Sequence, residues 1–126
     1  MFLFKRKENE TLSGLVNYGY VKNPNMKNWM DKIINGVKTS IIFNRGVYLI
    51  EYFFTRDLTE DEQDIIFQKV IDRVNDLNNE LDTSQMGPEF IEAYIKKKYV
   101  SNITAEKLNS LANIFFEIVR DEVSKL

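Results

Sequence analysis

The sequence predicts a mainly α fold of the α+β kind, with four to five helices packed around one β-hairpin near residues 38–55; read as helix, that same segment gives an all-α bundle instead. Three observations carry this expectation. Two long stretches, about 60–81 and 105–124, repeat apolar residues at helical spacing, each behind a threonine placed to cap it. Residues 37–55 are dense in β-branched and aromatic side chains, which suit a pleated surface. With 44% hydrophobic residues, a chain of 126 can bury enough surface for a core without disulfide or metal staples. No stretch reads as a linker, so one domain over 1–126 is expected.

Residues 11–20 place Leu12, Leu15, Val16 and Tyr20 at helical spacing, although Gly14 and Gly19 each cost about 1 kcal/mol in a helix interior. Asn23-Pro24-Asn25 is a stop, because proline disfavours helical geometry in the residue before it, and Asn25 can cap a new helix. A short helix over about 26–36 is expected there, with Met26, Trp29, Met30, Ile33 and Ile34 on one side. Strands follow over 38–43 and 47–55, with Phe43-Asn44-Arg45-Gly46 read as a type I turn closed by a left-handed glycine. The competing helical reading runs a stripe through Ile34, Val37, Ile41, Tyr48 and Tyr52, against Gly46 and the β-branched run.

Thr59-Glu60-Asp61-Glu62 is a capping box, and Ile66, Val70, Val74, Leu77 and Leu81 then form one continuous stripe. Gly87-Pro88 puts proline in a first turn, and Phe90, Ile91, Tyr94 and Ile95 predict a helix ending near Tyr99. Thr104 caps the final helix. Its apolar residues span more than one stripe, which makes it either central to the core or a surface for a partner.

Composition removes much chemistry. There is no cysteine, hence no disulfide, thiolate nucleophile or thiolate-held metal, and there is no histidine, the usual general base near neutral pH. Met1-Phe2-Leu3-Phe4-Lys5-Arg6-Lys7 has the wrong order for an export signal, and no window is apolar for eighteen residues; a cytoplasmic protein is expected. Thirteen asparagines beside many Ile and Lys suit an AT-rich genome such as a phage or plasmid. Residues 1–50 carry eight basic and three acidic groups, net +5; residues 51–126 carry nine and sixteen, net −7. The contrast bears on partner steering unless folding interleaves the halves.

Gly14 and Gly19 have phosphate-loop spacing, but Tyr20 and Val21 stand where Lys and Ser/Thr are needed. Asp57, Glu60, Asp61, Glu62 and Asp64 cluster without the spacing of a calcium loop, and helix capping accounts for them. No carboxylate pair stands out as an acid–base couple. What remains is contact: a non-enzymatic interaction protein of the adaptor, inhibitor or immunity kind, without cofactor or metal, binding another protein or itself. Its expected surface is an aromatic and aliphatic patch of the last helix and a neighbour, with Trp29, Phe115 and Phe116 as its residues. The alternative is a nucleic-acid binder using Lys5, Arg6, Lys7, Lys96, Lys97 and Lys98, against an overall pI of about 5.2.

Overall fold

The computed structural model describes residues 9–34, 36–55, 57–77, 80–82 and 91–125, without the side chains of 74–77 and Phe115. Asn9 caps α1 (Glu10–Ser13), its side chain accepting from the Leu12 N–H, and a 3-10 turn over Gly14–Tyr18 follows. The helix expected over 11–20 is thus divided, and the glycines explain why. A Cβ on Gly14 would meet the Cβ of Ala105 at 2.9 Å, while Gly19 ends the turn in the left-handed conformation at φ +90°. Close packing and chain reversal account for a spacing that resembled a phosphate loop.

Strand β1 (Val21–Lys22) leads into a turn in which the Asn23 side chain accepts from the N–H groups of Asn25 and Met26. The chain then reverses into β2 (Trp29–Ile34). The helix expected over 26–36 is therefore a strand. Its apolar doublets, Trp29-Met30 and Ile33-Ile34, fit helical spacing, but pairing with β3 (Val37–Asn44) along all six residues of β2 prevails. The hairpin of β3 with β4 (Val47–Phe54) is present. Its connection is tighter than the expected type I turn: Arg45 and Gly46 alone link the strands, both left-handed at φ 53° and 80°, as in a type I′ turn.

After α2 (Glu60–Leu77) come β5 (Leu81–Asp82) and β6 (Ile91–Ile95). The helix expected to end near Tyr99 is overturned by β6, where Ile91, Ala93 and Ile95 are buried and Glu92 and Tyr94 lie half-buried between them. That alternation has period two, and its pairing partner β4 lies some forty residues earlier. Gly87, Pro88 and Phe90 fall outside the described residues.

One antiparallel sheet results, in the order β1-β2-β3-β4-β6-β5. Both β4 and β5 run antiparallel to β6, so α2 crosses between two like-directed strands that have β6 between them. The fold is neither mainly α nor an all-α bundle, and the helical description fails with it: six strands are accompanied, among the described residues, by three α-helices, one of a single turn. Pairing between residues distant in sequence decided the matter where local periodicity was ambiguous.

The helix caps are as the sequence indicates. Thr59 and Glu62 satisfy each other's backbone N–H groups at 3.0 and 3.2 Å, and Thr104 accepts from the Lys107 N–H ahead of α3 (Ala105–Ser124). Helix α3 lies on one face of the sheet. Its Leu108, Leu111, Ala112, Phe116 and Val119 join the buried cluster with Ile41, Ile50 and Ile91 of the strands, and the Tyr52 hydroxyl donates to the Ala112 carbonyl at 2.7 Å. Helix α2 rests on α3. Glu122, 4% exposed, sits among Lys69, Arg73 and Lys125 at 3.4–3.5 Å.

Replacing Tyr52 by Phe keeps the ring and removes the bond that ties strand to helix. The variant is expected to lose about 1 kcal/mol in urea unfolding; an unchanged midpoint would show that the sheet and α3 are held without it.

Candidate functional site

Because the helices cover one face, strand alternation divides the sheet into an inner and an outer set of rows. Of the inner rows, the stretches Met30-Ile41-Ile50-Ala93 and Thr39-Tyr52-Ile91 are buried, and Lys22 and Lys32, which continue them toward the β1 edge, are not. The outer rows follow from the same register. The central one reads Val21-Asp31-Ser40-Glu51-Glu92 across five strands. On one side of it lies Trp29-Ile42-Leu49-Tyr94-Asp82, and on the other Ile33-Lys38-Phe53. Three carboxylates thus cross the middle of a face whose flanking rows are mainly aromatic and aliphatic. Val21, Ile33 and Phe53 are 68%, 63% and 41% exposed.

Asp31 is held by three donors: the Trp29 indole N–H at 2.7 Å, the Ser40 hydroxyl at 2.5 Å and the Asn23 amide at 2.9 Å. This fixes the indole relative to the face. Glu51 and Glu92 lie directly opposite each other on neighbouring strands, and among the described residues neither forms an ion pair. Like charges so placed oppose folding. Burial, and for Glu51 also the charge of Glu92, holds both carboxyls above the usual carboxylate range. The Tyr94 hydroxyl is raised as well, by burial and then by the charges of Glu92 and Glu51. Among the described residues of the outer rows the one cation is Lys38, whose ammonium lies 5.7 Å from the Phe53 ring centre.

The structure does not gather the three residues expected to form the patch. Trp29 is on the outer face, half-buried; Phe116 is 4% exposed in the core on the opposite side, with the Arg120 guanidinium 5.5 Å from its ring; the Phe115 side chain is outside the described set. Lys5, Arg6 and Lys7 are also outside it, and Lys96, Lys97 and Lys98 are exposed where β6 passes into a 3-10 turn over Lys97–Tyr99. The acidic residues Glu60, Asp61 and Glu62 form the first turn of α2. No group of His, Cys, Asp and Glu among the described residues is arranged to hold a metal ion, and no described helix is long and apolar enough to cross a membrane.

Sequence reasoning passed over Asp31, Glu51, Glu92, Ile33 and Phe53. A signal was present: Val47, Leu49 and Phe53 alternate with Tyr48, Ile50 and Tyr52, and Glu51 interrupts the first set only. No protein family, characterised protein or solved structure matches this chain.

With both carboxyls raised, the folded chain binds more protons than the unfolded chain just above the usual carboxylate range. Their contribution to stability therefore falls as pH rises through that window and returns on acidification. Glu51→Gln is expected to be more stable than the native protein near neutral pH, by up to about 1 kcal/mol. The advantage should vanish toward about pH 4. Urea unfolding at the two pH values decides it, and an advantage that is the same at both contradicts the arrangement.

Proposed function

We propose that this chain is a non-enzymatic, cytoplasmic, single-domain interaction module that docks a cationic, apolar-rich segment of another protein on the outer face of its sheet. The observation that carries the reading is the opposed pair Glu51 and Glu92 inside an aromatic and aliphatic surface. A pair that opposes folding, in rows with one lysine among the described residues, is the kind of feature kept for binding at the expense of stability. A lysine or arginine from a partner supplies the missing charge, while Trp29, Leu49 and Phe53 offer the apolar area that gives most interfaces their affinity. The same charges disfavour two copies meeting face to face, and they repel phosphate, so neither self-association nor nucleic acid is the occupant of this face.

Affinity capture from a lysate of the producing organism, with nuclease added, tests it. The native protein should retain a partner whose contact segment is basic. The double variant Glu51→Gln with Glu92→Gln should retain far less, at a cost of roughly 1 kcal/mol for each charge pair lost. Equal retention by the variant, or retention only when nuclease is omitted, contradicts the reading.

A further inference from the structure

Four enclosed side-chain atoms have no hydrogen-bond partner among the described residues: Tyr20 Oη, Thr39 Oγ1, Asn109 Oδ1 and Glu122 Oε2. A buried polar atom left alone costs stability, so each calls for an explanation. Glu122 has one, since Lys69 lies 3.5 Å from that oxygen while Arg73 and Lys125 approach the other. The remaining three have no such account. Tyr20 is 2% exposed and Thr39 fully buried, and Asn109 stands one turn before Ala112 on α3.

Two of them belong to one inner row. Val21 pairs with Asp31, so Tyr20 falls opposite Lys32, which pairs with Thr39, which in turn pairs with Tyr52. The row Tyr20-Lys32-Thr39-Tyr52 is uneven in height. The Lys32 side chain is drawn to the edge of the sheet, donating to the Tyr18 carbonyl at 3.3 Å with its ammonium 4.6 Å from the Tyr20 ring centre. Thr39 is short, and a tall tyrosine rises on either side of it. The two phenols are close enough to act on each other: burial, and then the charge of Tyr20, hold the Tyr52 hydroxyl far above the usual tyrosine range. Tyr52 gives its proton to the Ala112 carbonyl at 2.7 Å, so its oxygen can accept a further hydrogen bond but not donate one.

We propose that the hollow above Thr39, beneath α3, is a site for a buried water molecule that accepts from the Tyr20 and Thr39 hydroxyls and donates to Tyr52 Oη and Asn109 Oδ1. Water is the ligand whose chemistry fits, because its two protons and two lone pairs match two hydroxyl donors and two oxygen acceptors. An ion would bring unpaired charge into the core. So placed, the water ties β3, β4 and α3 to the segment that enters β1. Tyr20 immediately precedes Val21, so the same water anchors the β1 edge of the outer face. The inference stands independently of what docks on that face.

The test is oxygen-17 relaxation dispersion of the solvent, which counts water held inside a protein for longer than the protein takes to tumble. It is run on the native protein and on Tyr20→Phe, Thr39→Val and the double variant, each substitution keeping the shape of the side chain and removing one hydroxyl. The native protein is expected to hold one more long-lived water than the double variant. In urea unfolding each single variant is expected to lose roughly fivefold in the ratio of folded to unfolded chain, the effect of one hydrogen bond. The double variant should lose less than the two losses combined, because both hydroxyls serve one water. Equal dispersion in the native protein and the double variant overturns the proposal. So does a gain of stability in Thr39→Val or Tyr20→Phe, since exchanging a partnerless buried hydroxyl for an apolar group is favourable. Should a variant fail to fold, a crystal structure of the native protein decides: density within hydrogen-bond distance of both hydroxyls supports the site, and its absence rejects it.

Discussion

Everything in this structure depends on α2 and α3, among the described residues, packing on one face of the sheet. Helix α3 commits Leu108, Leu111, Ala112, Phe116 and Val119 to the core, and the Tyr52 hydroxyl fixes its distance from β4 through Ala112. Helix α2 is carried by α3, with Glu122 among three cations between them, and sends Ile66 and Val70 into the same cluster. The inner rows are therefore closed to bulk water, while the outer rows keep Val21, Ile33 and Phe53 in contact with water around a buried Ser40 and Ile42. The opposed glutamates are half-buried, so solvent screens them in part; in the inner rows they would carry the full cost of burying unpaired charge.

How far the sequence could be read follows from the range of the forces involved. Capping is local, so Thr59 with Glu62 and Thr104 with Lys107 stand where spacing placed them, and α3 spans the predicted residues. The hairpin is also local, since Arg45-Gly46 joins strands that are neighbours in sequence. Strands β2 and β6 were illegible for two different reasons. In β2 the apolar doublets fill both faces, so no alternation is visible, and the same residues fit a helical stripe. In β6 the alternation is clean but short, and its place is set by β4 across the whole of α2. The candidate site inherits this difficulty, because Asp31, Glu51 and Glu92 become neighbours only once the order of strands is known.

The broad apolar surface of α3 raised the choice between core and interface, and the structure resolves it toward the core for Phe116. The large apolar residues left in water lie elsewhere, with Val21, Ile33 and Phe53 on the sheet's outer face. Trp29 links the two readings, since the aromatic residue expected at a contact surface is the one that Asp31 holds in place there. Val21, which pairs with Asp31, carries the outer face to the edge of the sheet.

The one-sidedness of the sheet is measured most directly by paramagnetic relaxation of methyl groups with an inert gadolinium chelate in solution. The account predicts strong relaxation at Val21 and Ile33, less at Leu49, and very little at Ile41, Ile50 and Ile91. Protection of Val21 and Ile33 to the level of Ile41 and Ile50 would mean that the outer face is covered, and would contradict it.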